Sequence, residues 1–221
     1  MSSAETTSTY HGNPRREMQA FVPVSARRIL DIGCGAGVFG GLLKEARGPE
    51  HAPEIWGVEM DPRAAALAES RLDRVLCGDV FTVLSQLEGQ RFDAVVMNDV
   101  LEHLADPQEL LRALPALLSE GGCLVASIPN VRYFFNVMGL AWHGRWEYTD
   151  EGILDRTHLR FFTRSSICLL LEECGFRVEN LRGINPTGSL KFKLANAATL
   201  GRFSDMRYLQ FAVVARPSDG K

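Results

Sequence analysis

Apolar residues along this chain fall into short continuous runs separated by stretches of helical period. That alternation is expected of strands buried on both faces and of the helices that cover them. The runs are Arg28–Ile32, Glu54–Met60, Arg74–Gly78, Phe92–Asp99, Cys123–Pro129, Arg177–Gly183 and Tyr208–Arg216. Helical stretches are Val38–Ala46, the segment PRAAALAESRL opening at Pro62, Thr82–Leu87, Pro107–Leu118 and Thr163–Cys174. Pro62 stands where a helix favours proline, and Asp61 before it reads as the cap. Thr163 is a second N-cap, and Gly175 stops the helix that follows. Leu110, Leu111, Leu114, Leu117 and Leu118 share helical spacing, so that stripe belongs to the core. Strands alternating with helices predict an α/β fold, a doubly wound and mostly parallel sheet.

The alternation is interrupted twice. Residues 130–160 form an aromatic-rich insert with Tyr133, Phe134, Phe135, Trp142, Trp146 and Tyr148, and residues 184–206 form a second irregular insert. Residues 1–25 read as a polar, mobile tail followed by a cap, with a short helix over Pro14–Phe21 leading into Val22-Pro23-Val24. Residues 26–221 then make one domain, because no internal repeat and no linker divides them.

Composition narrows the setting. With 221 residues and 46% hydrophobic content the chain can bury a full core. A net charge of −3 argues against a general nucleic-acid binder. The five cysteines form no C-x-x-C pair, which fits buried thiols in a reducing compartment. No apolar run has the length of a membrane span, so no stable membrane insertion is expected. The first residues lack the basic start and apolar core of a signal peptide, so a cytoplasmic protein is expected.

The candidate chemistry centres on Ile29–Gly41, ILDIGCGAGVFGG, a strand running through a glycine turn into a helix. Such a turn brings backbone N–H groups and a helix N-terminus against a cofactor. Gly35 to Gly40 spell the dinucleotide pattern G-x-G-x-x-G, but Asp31-Ile32-Gly33-Cys34-Gly35-Ala36-Gly37 spell an acid followed by G-x-G-x-G. A carboxylate there would oppose a pyrophosphate and suit the ammonium of an amino-acid tail. The segment resembles the first motif of the class I S-adenosylmethionine-dependent methyltransferases.

That resemblance extends over roughly residues 26–183 and implies a seven-stranded Rossmann-like sheet whose last strand is antiparallel. It implies S-adenosylmethionine as cofactor, with Asp31, Gly33, Gly35 and Gly37 around its amino-acid part. Glu59 matches the family's ribose-binding acid, Met60 the apolar residue on adenine, and Asp79-Val80 the pair beside the adenine amino group. The backbone near Asn98 would border the methionine part, and Val100-Leu101-Glu102-His103-Leu104 resembles the family's VLEHL signature. A nicotinamide-dependent oxidoreductase would share Glu59 but not Asp31 and Asp79. A non-catalytic binding module on the same fold is the reading from another class.

Methyl transfer from a sulfonium needs a base only where the acceptor carries a proton at neutral pH. His158 and His103 are the candidates near the carboxyl edge, with His143 in the aromatic insert. Gly152 to Thr163 reads GILDRTHLRFFT, similar to methyltransferases of polysaccharide, glycolipid and secondary-metabolite pathways and more loosely to the quinone O-methyltransferases. The expectation is O-methylation of a sugar, a glycolipid intermediate or a phenolic metabolite, with amine and carboxyl acceptors as the alternatives. Tyr133, Trp142 and Trp146 are expected to wall the acceptor pocket or, alternatively, to form a homodimer interface. Lys191 and Lys193 belong to a stretch, Arg182–Arg207, holding five cations against one acid, which suggests an anionic small-molecule acceptor. No metal is expected: there is no H-E-x-x-H and no paired Cys/His spacing, and Asp99, Glu102, His103 and Asp106 read as helix-start chemistry.

Overall fold

The structure is a computed structural model that describes residues 14–218. The expectation of a mobile polar tail at the extreme N-terminus lies outside the described residues. Seven strands form one sheet in the order β3-β2-β1-β4-β5-β7-β6. They are β1 (Arg28–Ile32), β2 (Glu54–Glu59), β3 (Arg74–Cys77), β4 (Phe92–Asn98), β5 (Leu118–Pro129), β6 (Phe176–Pro186) and β7 (Tyr208–Pro217). Strands β1 to β5 pair in parallel, and β7 runs antiparallel to both β5 and β6. The doubly wound fold with an antiparallel last strand is therefore present.

Alternate residues of the same strand enter opposite cores, which is why the strand runs read as continuously apolar. Leu30, Val95, Met97 and Leu124 join one cluster, whereas Ile29, Ala94, Val96 and Val125 join the other. Helices α1 (Val38–Arg47), α2 (Pro62–Ala68), α3 (Val80–Val83), α4 (Pro107–Ala113) and α6 (Arg164–Glu173) connect the strands. Asp61 caps α2 through the Arg63 N–H at 2.8 Å. Thr163 and Ser166 form a capping box on α6. The stretch expected as one helix over Pro107–Leu118 divides, because Pro115 converts Leu114–Leu117 to a 3-10 turn and Leu118 already enters β5.

Both inserts contain a helix that the pattern did not disclose: α5 (Phe134–His143) in the first and α7 (Leu190–Ala198) in the second. The α5 sequence FFNVMGLAWH has no polar face to set a period, so it reads as an apolar run rather than as a helix. The two helices meet through Phe134 and Phe192, whose ring centroids lie 5.6 Å apart, in a small third cluster with Met206. The segment before β1 is a 3-10 helix, Arg16–Phe21, that buries Met18 and Val22 against one face of the sheet. No helix among the described residues is long and apolar enough to cross a membrane.

Candidate active site

The carboxyl edge of the parallel strands carries the glycine turn. After β1, the Gly33 and Cys34 N–H groups both donate to the Val58 carbonyl, at 2.8 and 3.1 Å. Gly33, Gly35 and Gly37 all have positive φ, at 72°, 53° and 72°. A Cβ on Gly33 would lie 2.7 Å from Val100 Cγ2, so the turn also closes tightly against the segment after β4. Gly37 then opens α1 with no side chain capping it, leaving first-turn N–H groups for a ligand or water.

Asp31 and Asn98 each hold a buried acceptor at this edge that lacks a partner. Asp31 is 2% exposed, its Oδ2 makes no hydrogen bond, and burial, helped by the charge of Glu59, pushes its carboxyl up to about 8. Asn98, the last residue of β4, likewise holds a buried Oδ1 with no donor. Unmet acceptors of this kind are uncommon and call for a donor. An ammonium, which carries three N–H donors, meets that need. The residues present therefore fit the amino-acid end of S-adenosylmethionine.

Glu59 is already engaged. Its Oε2 accepts the Gly35 N–H at 2.7 Å and its Oε1 accepts the Asp61 N–H at 2.9 Å, so the acid at the end of β2 braces the glycine turn. Met60 beside it is 70% exposed, an apolar side chain open at the edge. Asp79 caps α3 through the Phe81 N–H at 2.9 Å, using one oxygen and keeping the other. The Val80 side chain packs in the core, so only its backbone is available to a ligand.

The structure brings together the two histidines that the sequence offers as alternatives. The rings of His103 and His158 stand 4.8 Å apart, edge to face. The Leu159 and Arg160 N–H groups both donate to the Glu102 carbonyl, at 2.8 and 3.0 Å, which docks the THLRF segment onto the turn after β4. Nδ1 of His158 lies 2.9 Å from the Ile153 carbonyl, and Nδ1 of His103 lies 3.3 Å from the Thr157 carbonyl. A carbonyl only accepts, so each Nδ1 carries the proton and each Nε2 of a neutral ring is an acceptor. His103 is held below the usual histidine range by burial and then by His158.

Glu102 stands in the first turn of the short 3-10 helix Leu101–His103, as its helix-start reading has it, but its carboxylate is not solvated there. It is 1% exposed, neither carboxyl oxygen has a partner, and burial, aided by Asp99, holds it well above the usual carboxylate range. One ligand atom from each of Glu102, His103 and His158 lies within 4.8 Å of the others, a spacing compatible with a metal ion. Spacing along the sequence could not show this, because His158 arrives from the far end of the aromatic insert. Asp106 does cap α4, through the Glu109 N–H at 3.1 Å.

Asp99 stands just before the N-cap Val100 of that 3-10 helix. It sits at φ 56°, and Arg15 from the N-terminal cap reaches it at 2.8 Å. Ser127 Oγ and Gln210 Nε2 donate to the same carboxylate, each at 2.9 Å, while Arg15 also donates to Ser127 and Gln210. A cation in the run Pro14-Arg15-Arg16 looks like solvated surface in the sequence; here it is 8% exposed and ties the cap to β4, β5 and β7.

The expected acceptor wall divides. Trp146 packs edge to face on Phe161 at 5.1 Å, and Phe161 borders His158 at 6.4 Å. Tyr133 stands at the N-cap position of α5 without a side-chain capping bond and tilts against Phe135. Trp142, in the last turn of α5, is 87% exposed and so does not wall an enclosed pocket. Lys191 and Lys193 are exposed on α7 to either side of the buried Phe192.

Comparison with known proteins agrees with the fold. A methyltransferase domain model matches residues 9–181. A ubiquinone biosynthesis O-methyltransferase of Cereibacter sphaeroides is 30% identical over 176 residues, covering 76% of this chain and 68% of its own. A SAM-dependent methyltransferase from Archaeoglobus fulgidus has a similar fold, with a TM-score of 0.66 at 21% identity over 95% of this chain and 93% of its own. Magnesium protoporphyrin IX methyltransferase from Synechocystis PCC 6803, solved with bound SAH, gives 0.59 at 16% identity over 97% and 83%. The chain belongs to the class I S-adenosylmethionine-dependent methyltransferase family.

Proposed function

We propose that the protein methylates an oxygen of a small or carrier-linked acceptor, a phenolic metabolite, a sugar or a glycolipid intermediate. The observation that carries this reading is the paired arrangement of His103 and His158, whose rings stand 4.8 Å apart with each Nδ1 bound to a carbonyl. A hydroxyl acceptor needs its proton removed as the methyl arrives, and a neutral imidazole is suited to that near pH 7. The similarity to an enzyme named as an O-methyltransferase supports the same choice of atom.

S-adenosylmethionine, when bound, supplies a methyl group on a sulfonium that is already activated. The chain's own residues bind, orient and deprotonate. Asp31 and the Asn98 carbonyl oxygen would hold the ammonium; Glu59, Met60 and Asp79 would hold the nucleoside; the glycine turn would let the backbone approach. Holding both reactants in line contributes most of the rate, with alignment worth about 7–11 kcal/mol. Trp146 and Phe161 beside His158 would keep water from the acceptor face.

The test is release of S-adenosylhomocysteine against panels of phenols, sugar hydroxyls, carboxylates and amines. Turnover confined to hydroxyl acceptors, rising with pH through the histidine range, is the expected result. Turnover on amines or carboxylates alone would move the reading to N- or carboxyl-methylation.

A further inference from the structure

The two inserts build a surface that the site does not use. Helices α5 and α7 join through Phe134 and Phe192, and the cluster that joins them is completed by Met206, Val137, Ala195 and Phe203. Outside that contact each helix keeps an apolar stripe in the open. On α5 it runs through Phe135, Met138 and Trp142, at 43%, 37% and 87% exposure and at helical spacing. On α7 it runs through Leu190 and Leu194, at 68% and 64%, and Leu200 just beyond is 96% exposed. Monomeric soluble proteins seldom leave so many large apolar side chains together in water.

Charge selects the occupant. The protein as a whole is acidic, at −3, yet Arg182–Arg207 holds five cations and the single acid Asp205. That acid is taken up by Arg132, whose Nη1 lies 2.7 Å from both of its oxygens. Lys191 and Lys193 thus flank the Leu190–Leu194 stripe with no local acid to offset them. A twofold contact between copies would bring these lysines toward their own equivalents, and protein interfaces are depleted of lysine at their centres. An exposed tryptophan on α5, with leucine beside lysine on the neighbouring α7, is the composition of a surface lying in the headgroup region of a bilayer.

We infer that the α5–α7 pair is a peripheral docking surface for an anionic lipid bilayer, with Trp142, Leu194 and Leu200 entering the headgroup boundary and Lys191 and Lys193 on the phosphates. Both helices rise from the carboxyl ends of β5 and β6, the edge that carries the histidines and the cofactor residues. Docking there would present the active-site mouth to molecules held in the membrane. The surface argument does not depend on which atom is methylated.

The experiment is sedimentation of the full chain with vesicles of phosphatidylcholine alone and of phosphatidylcholine mixed with phosphatidylglycerol, at low and high salt. The expected result is binding to the anionic vesicles that high salt reverses. Leu194→Ser with Leu200→Ser should weaken it by about tenfold or more, and Lys191→Glu with Lys193→Glu by a similar factor. Thermal melting and S-adenosylhomocysteine binding of the leucine variant should match the parent, which separates a lost surface from a lost fold. Quenching of Trp142 by brominated lipid, abolished by Trp142→Phe, would place α5 at the bilayer. No binding of the parent to anionic vesicles at low salt would overturn the inference. So would vesicle binding equal in parent and both variants, or a dimer in solution that the leucine substitutions dissociate.

Discussion

The guanidinium of Arg15 lies 2.8 Å from Oδ2 of Asp99, joining the N-terminal cap to the residue that follows Asn98 at the end of β4. Asp99 adopts φ 56°, a left-handed conformation uncommon outside glycine, which fixed partners on its side chain help to hold. Arg15, Ser127 and Gln210 supply that hold. Removing one partner of a mostly buried ion pair leaves the other uncompensated, at a cost of about 3 kcal/mol. Arg15→Met should therefore lower the melting temperature by several degrees. It should also weaken S-adenosylhomocysteine binding, because the Asn98 acceptor loses its fixed position. A variant that melts and binds like the parent would show that the cap is only a cover.

Glu59 and Asp79 should part company on substitution. Glu59 holds two backbone N–H groups, and hydrogen bonds to a charged acceptor are worth about 1.5–3 kcal/mol each. Glu59→Ala should lose both stability and cofactor affinity, since the Gly35 N–H loses its acceptor. Asparagine caps a helix as well as aspartate does. Asp79→Asn should therefore keep the α3 cap and the melting temperature while weakening only cofactor binding. Equal melting of the two variants would contradict the bracing role of Glu59.

The legible parts of the molecule were those whose physics is local. Strands buried on both faces spell themselves as apolar runs, and Asp61 and Thr163 cap the helices that their neighbours announce. Asp31 declared itself through charge at a glycine turn. The Glu102, His103 and His158 cluster was only half legible, because the contact closes across the whole aromatic insert. Arg15 gave no signal, since nothing in a basic tripeptide marks which arginine is buried. Helices α5 and α7 were hidden for opposite reasons: α5 is apolar throughout and α7 is short and interrupted by lysines.

Asp31 gives the cofactor-free protein a pH dependence of unusual sign. Its carboxyl is raised from 3.8 to about 8, so between those values the folded state binds more protons than the unfolded state. Stability of the free protein should fall as pH rises through that window. An ammonium partner favours the ionised form, so binding of S-adenosylhomocysteine should release a proton below about pH 8. Affinity should then climb with pH by up to about tenfold per unit until that value. Asp31→Asn should raise the melting temperature of the free protein at alkaline pH, remove the proton release and weaken the ligand. Calorimetry in buffers of different ionisation enthalpy reads the proton directly.

His103 should register in stability as well as in rate. Its folded value lies below 6.5, so as pH falls from 6.5 toward that value the unfolded state takes up a proton that the folded state refuses. The folded state is stabilised above the window and loses that advantage on acidification. His103→Gln should flatten this part of the melting profile. An unchanged profile would mean that His103 titrates as an exposed imidazole does.

His158 allows base and brace to be separated by choice of substitution. Its Nδ1 sits 2.9 Å from the Ile153 carbonyl, and the ring is 7% exposed between His103 and Phe161. Alanine would remove both the anchor and the base, so a slow alanine variant could not say which mattered. Asparagine places an amide N–H near the position of Nδ1 and has nothing at Nε2. If His158 removes the acceptor proton, His158→Asn should keep the melting temperature close to that of the parent while kcat falls by roughly 10²–10⁴-fold. Cofactor affinity should hardly change, because His158 stands on the acceptor side. The ascending limb of the pH–rate profile should disappear with it. His103→Asn is the matched control, since its Nδ1 is anchored in the same way on Thr157. If the loss follows His103 instead, the base belongs to the turn after β4 and His158 positions it. If both variants turn over like the parent, the acceptor arrives already ionised, and the O-methyl ether reading gives way to a carboxylate or an amine.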